Sequence, residues 1–158
     1  MVCTFFGHRD APDSLAVEIR KTLIELLETG NVDVFYIGNS GNFDKLASRV
    51  LSELSSEYSF TCRNVLAYLP EQEREFNFDT ILPEGIEDVP RRFAISYRNQ
   101  WMIERSDIVV TYVKRNYGGA YQFKVIAEKK GKKVIEIKEK KENSHIKKSC
   151  RFKARKMS

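Results

Sequence analysis

Four short stretches combine glycine, small polar side chains and charge in patterns that suit an anionic or sugar-bearing ligand. The first is Gly7-His8-Arg9-Asp10. Gly7 permits a tight turn, Arg9 can grip a phosphate through two parallel N–H groups, and His8 can donate to a phosphate or sugar oxygen. The second is Gly38-Asn39-Ser40-Gly41-Asn42-Phe43-Asp44, just ahead of a helical pattern. Free N–H groups and the helix dipole favour an anion there. Asp44 would repel phosphate but could accept from a ribose hydroxyl. The third is Asn116-Tyr117-Gly118-Gly119-Ala120-Tyr121-Gln122, where a glycine pair again opens a helix and Tyr117 and Tyr121 could stack on a base. The fourth is the pair Arg98-Asn99 inside a helical stretch that ends at Ser106-Asp107. Each stretch also has a plain structural reading, as a capped turn or a surface ion pair, and none matches a Walker A loop or GxGxxG.

The elements that must position these stretches follow from hydrophobic periodicity. Five short runs have strand character: Cys3–Phe6, Val34–Ile37, Val65–Tyr68, Ile108–Tyr112 and Val134–Ile137. Near-continuous apolar runs predict a parallel sheet covered on both faces. Helical stripes fall between them. Leu15, Ile19, Leu23, Leu26 and Leu27 make one, bounded by Pro12 and Gly30. Phe43, Leu46, Ala47, Val50, Leu51 and Leu54 make another, with Asn42 as its expected N-cap. A third helix is expected over Arg92–Arg105, with Ile95, Trp101 and Met102 as its apolar contacts. A fourth is expected over Gly119–Lys130, stopped at Gly131. The alternation predicts a single α/β domain over residues 1–137: a Rossmann-like, doubly wound sheet of about five parallel strands flanked by helices on both faces. In such a sheet ligands bind beyond the carboxyl ends of the strands, and three of the four stretches reach that edge.

The segment Pro70–Pro90, rich in proline and acidic residues, breaks the rhythm and reads as a lid or an irregular connection. Residues 138–158 hold nine Lys and Arg against two Asp and Glu, while residues 1–137 hold 18 against 20. The net charge of +5 therefore belongs to this tail, which reads as a solvated, disordered extension. The charge of residues 1–137 does not support a general nucleic-acid-binding face. No apolar run approaches the ~20 residues of a membrane span, and a cytoplasmic location is expected. Cys3, Cys62 and Cys150 are widely separated, and His8 is the only histidine before residue 138, so neither a metal site nor a cofactor is expected.

The segments FFGHRD, GNSGNFDKLASRVLSEL, YRNQWMIERSDIVVTYV and NYGGAYQFKVIAEKKGKKVIEI occur in the order and spacing of the SLOG superfamily. That group includes DprA/Smf proteins, YpsA-like proteins and the Lonely-guy phosphoribohydrolases. The chain most resembles the short YpsA-like members, over about residues 2–137. The resemblance implies a nucleotide-type ligand held by Gly7, His8, Arg9, Gly118 and Gly119, and assembly into a homodimer or larger homo-oligomer. Arg98 stands where the phosphoribohydrolases carry a catalytic arginine, counted back from Ser106-Asp107. Their catalytic glutamate falls on Val125, and Glu128 lies one helical turn further on.

Three functions follow as expectations. The first is a sensor or sequestering module for a nucleotide, NAD-like or ADP-ribose-like molecule. The second is an N-glycosidic hydrolase using Arg98 with Asp44, Glu128 or Glu104; such chemistry needs a carboxylate at the reacting sugar carbon. The third is single-stranded nucleic-acid binding through the basic tail, by likeness to DprA.

Overall fold

The computed structural model describes residues 1–70 and 74–139. Residues 71–73 of the proline-rich connection lie outside the described residues, as do residues 140–158 of the basic tail, with Cys150. Within the described residues six strands form one all-parallel sheet: β1 Val2–Gly7, β2 Val34–Ile37, β3 Thr61–Val65, β4 Asp79–Ile81, β5 Ile108–Tyr112 and β6 Lys133–Glu136. Among the described residues four α-helices accompany them: α1 Ala16–Glu28, α2 Asn42–Leu54, α3 Arg91–Glu104 and α4 Gly119–Lys129. The strand order is β4-β3-β2-β1-β5-β6, so the direction of winding reverses between β1 and β5. This is the Rossmann-like α/β architecture expected, with one strand more.

The sheet separates two apolar layers because successive strand residues face opposite ways. Cys3, Phe5, Phe35, Ile37 and Val110 pack against α1 and α2, through Ile19, Leu23, Phe43, Leu46, Val50 and Leu54. Phe6, Val65 and Val109 pack on the other face against Met102 and Ile103 of α3 and Phe123 and Ala127 of α4. Among the described residues no helix is long and apolar enough to cross a membrane.

Two strands differ from expectation. β3 runs over Thr61–Val65, not Val65–Tyr68. Leu66 and Ala67 are buried beyond the strand, and the Leu66 N–H donates to Ile81 O at 2.9 Å. The proline-rich connection contains β4, a three-residue edge strand with largely exposed side chains. An edge strand that buries little needs no apolar run, and its sequence shows none. The N-cap of α2 is Gly41; the Asn42 amide instead donates to Ala11 O at 2.6 Å and Asp13 Oδ1 at 2.8 Å, tying α2 to the chain after β1. Gly131, with φ of 76°, caps the end of α4 as the pattern indicated.

Gly7 closes β1 against α2. A Cβ there would fall into the Phe43 ring, 2.6 Å from the Phe43 Cβ. Gly7→Ala therefore overpacks the β1–α2 contact and should destabilise the fold by about 1–3 kcal/mol. Urea denaturation measures it, and trimming Phe43 to alanine should recover part of the loss in the double variant. A fully additive double variant would contradict this contact.

Candidate functional site

A cavity of about 400 Å³ opens at the carboxyl ends of β1 and β5, where the winding reverses. Gly7, His8, Arg9 and Asp10 enter it from β1, Ser40 and Asp44 from the β2–α2 turn, and Arg115, Tyr117, Gly118, Gly119 and Ala120 from the β5–α4 turn. Ile95, Asn99 and Met102 enter along one face of α3, at helical spacing. Phe5, Phe6 and Phe123 complete an apolar part of the wall. A smaller cavity of about 190 Å³ adjoins it, with Gly38 and Asn39 in its wall, and Asp44 lines both.

Arg98 organises one wall. Its side chain is 1% exposed, yet it sits on the buried face of α3 with Ala94 and Met102. Burial of a guanidinium is tolerated only when its N–H groups find acceptors. Nε donates to Asn99 Oδ1 at 2.8 Å, Nη1 to Asn39 Oδ1 and to Val65 O at 3.0 Å each, and Nη2 to Ser40 Oγ. One side chain thus clamps the β2–α2 turn, the end of β3 and its own helix. Burial depresses its pKa, and Asp44 opposes that shift. Asp44 stands across Gly38, where a Cβ would meet both the guanidinium and Asp44 Oδ2 at 3.1 Å. Burial raises the Asp44 pKa, against the Ser40 N–H bond of 2.9 Å and the charge of Arg98.

The two glycine-rich turns differ in what they leave free. At the start of α2 the Asn42 N–H donates to Arg9 O at 3.0 Å and the Ser40 N–H to Asp44. Gly41 is there for close approach, since a Cβ would lie 2.5 Å from Arg9 Cα. At the start of α4, Gly118 adopts φ of 89°, and a Cβ on Gly118 or Gly119 would meet nothing within 4 Å. The first helical bond is Gln122 N–H to Gly118 O at 3.0 Å, so the N–H groups of Gly119 and Ala120, both on the cavity wall, precede it. This start shares the cavity wall with Arg9 and Arg115, and free N–H groups at a helix start suit an anion.

His8 lines the cavity but is committed to the fold. It is 8% exposed, its Nε2 accepts the Lys114 N–H at 2.9 Å, and its ring meets Tyr112 edge-on at 5.7 Å between centroids. An accepting Nε2 carries no proton, so the ring is neutral. Burial lowers its pKa first; Arg115 and Lys114 add to that and Asp10 opposes it. A second link between the same turns joins Arg115 to Asp10 at 2.7 Å.

Of the residues singled out in the sequence, Gly7, His8, Arg9, Ser40, Asp44, Asn99, Gly118 and Gly119 come together around the larger cavity. Gly38 and Asn39 line the smaller one, and Gly41 packs beneath Arg9. Tyr121 and Gln122 lie on α4 outside the cavity wall. Glu128 is not brought to the cavity. It sits near the far end of α4, nine residues and roughly 13 Å of helix from Gly119, exposed and 4.0 Å from Lys124. Glu104 is also exposed, beside Lys130. Arg115 escaped notice because it precedes the glycine-rich stretch; Ile95 and Met102 were read only as apolar contacts of the third helix, although their spacing with Asn99 puts all three on one helix face. Among the described residues no three His, Cys, Asp or Glu side chains stand close enough to share a metal ion. Neither a protein-family model nor a curated protein matches the chain.

Arg98→Met removes the clamp and leaves its acceptors without partners. It should lower stability by about 3–5 kcal/mol, read as the urea midpoint; an unchanged midpoint would contradict the clamp. The folded pKa of His8 lies below the unfolded value of about 6.5, so its contribution is complete above that value. It is lost as pH falls through the folded pKa. The fall in stability below about pH 6.5 should therefore be shallower in His8→Ala than in the parent protein, and identical slopes would show that His8 does not titrate this way.

Proposed function

We propose that the protein binds a nucleotide or nucleotide-derived molecule, of the mononucleotide, NAD or ADP-ribose type, in the cavity between β1 and β5, as a sensor or sequestering module. The observation that carries this reading is the open start of α4 at the winding reversal, with Gly118, Gly119 and Ala120 on a cavity wall shared with Arg9 and Arg115. Fixed N–H dipoles and two guanidinium groups suit a phosphate. The apolar wall of Phe6, Met102 and Phe123 suits a flat ring. The likeness to the SLOG superfamily supports the same ligand class, and with it a cytoplasmic protein that assembles with copies of itself.

A second reading, hydrolysis of the N-glycosidic bond, is favoured by one observation. Asp44 supplies a half-buried carboxylate at the cavity, with its pKa raised by burial. Such a group can stabilise positive charge on a sugar carbon or take a proton from water. Arg98, with four hydrogen bonds below the wall, would act by holding the turn that carries Asp44. The nucleic-acid reading depends on the tail beyond Glu139, outside the described residues.

Calorimetric titration against nucleoside mono- and diphosphates, NAD and ADP-ribose tests the proposal. Binding should be saturable, and Arg9→Ala should weaken it about tenfold, the value of one charge-assisted contact. Absence of binding at millimolar concentration across the panel would contradict it. Chromatography of the same mixtures separates the two readings. Intact ligand supports the binding module. Free base that disappears in Asp44→Asn supports the hydrolase.

A further inference from the structure

We infer that Ser40, Asn99 and Asp44 together read a vicinal diol, with Arg98 as the positioning residue that fixes their hydrogen-bonding polarity, so that the cavity selects ribose over 2′-deoxyribose. This rests on the nucleotide-type reading above.

Arginine only donates. Every side chain bonded to the Arg98 guanidinium must therefore turn an acceptor towards it and its own donor away. Asn99 presents Oδ1 to Nε at 2.8 Å, which fixes the amide orientation and carries both Nδ2 protons away from the guanidinium, on a side chain that lines the cavity. Ser40 Oγ accepts from Nη2, so its hydroxyl proton is directed to another acceptor. Asp44 uses Oδ2 for the Ser40 N–H at 2.9 Å, which leaves Oδ1 to accept. One wall thus offers two donors and one carboxylate oxygen.

The chemistry of that trio narrows the group it fits. A phosphate or carboxylate would set its charge against Asp44. The edge of a base that pairs one acceptor with one donor leaves a protein donor unmatched, at a cost in affinity. Two neighbouring hydroxyls match all three groups. Each oxygen accepts one bond, from Ser40 or Asn99, and both protons can go to the two lone pairs of Asp44 Oδ1. The phosphate-suited start of α4 lies elsewhere on the same cavity, leaving this wall for the sugar.

The test is calorimetric titration of the full chain with AMP, GMP, CMP and UMP, each beside its 2′-deoxy counterpart. The ribonucleotide that binds should do so roughly ten- to hundredfold more tightly than its deoxy form. Asn99→Asp keeps the acceptor that holds Arg98 and removes the donor, so it should collapse that ratio. Ser40→Ala removes the other donor without adding charge and should lower the ratio too. Arg9→Ala should weaken both forms equally and leave the ratio intact, which separates sugar reading from general loss of binding. Equal affinities in the parent protein, or a ratio unmoved in both Asn99→Asp and Ser40→Ala, would overturn the diol assignment and leave the nucleotide reading standing. No binding by any of the eight nucleotides, nor by NAD or ADP-ribose, would overturn both.

Discussion

A guanidinium placed out of water has to be answered on several sides at once, and the architecture around Arg98 is that answer. Its N–H groups reach Asn39 and Ser40 after β2, the carbonyl of Val65 at the end of β3, and Asn99 one residue along its own helix. Breaking any of these contacts would leave buried donors or acceptors without partners, so the four positions are fixed relative to one another. The constraint reaches the backbone as well. Residue 38 has little room for a side chain, because the guanidinium and Asp44 occupy the space a Cβ would face. A polar cluster of this kind is a poor source of net stability, but it specifies one arrangement of loops. That arrangement is the polar wall of the cavity.

The opposite wall is set by different physics. The β5–α4 turn is held from the β1 side by His8, which accepts the Lys114 N–H, and by Asp10, which pairs with Arg115. These contacts fix the turn from outside the helix, so the start of α4 is left clear. The start of α2 is closed by contrast: its turn is used for packing Gly41 against Arg9 and for the Asp44 bond. Two glycine-rich turns that look alike as sequence therefore have different roles. Glycine in one removes a side chain where chain segments meet; in the other it supplies a left-handed cap beside open space.

Much of the fold was legible because it depends on local periodicity. α1, α2 and α4 lie where the apolar stripes put them, and the parallel sheet follows from strands apolar on both faces. Thr61–Val65 was harder, because the polar Arg63 and Asn64 sit within the strand while the more apolar Leu66 and Ala67 are buried just past it. β4 carried no signal, since an edge strand of Asp-Thr-Ile buries almost nothing. The same split holds for the site. Glycines and small polar residues at strand ends could be placed by the general rule for α/β sheets. The burial of Arg98 could not, because a lone arginine in a helical pattern reads as solvated unless the acceptors from two other loops are known. His8 was read as a ligand donor for the same reason: its partner, Lys114, is more than a hundred residues away in sequence. Glu128 looked available by helical spacing alone, and only the length of α4 sets it apart from the cavity.

In the proposed binding mode a phosphate-bearing ligand seats in the cavity with its anion at the start of α4 and its sugar against Asn99. Two-dimensional ¹H–¹⁵N NMR of the labelled protein, titrated with a ribonucleotide from the binding panel, addresses it residue by residue. Saturable shifts are expected at the backbone amides of Gly118, Gly119 and Ala120 and at the Asn99 side-chain amide, with Glu128 on the far turn of α4 unmoved. Shifts confined to other surfaces, or a spectrum unchanged at millimolar nucleotide, would contradict it.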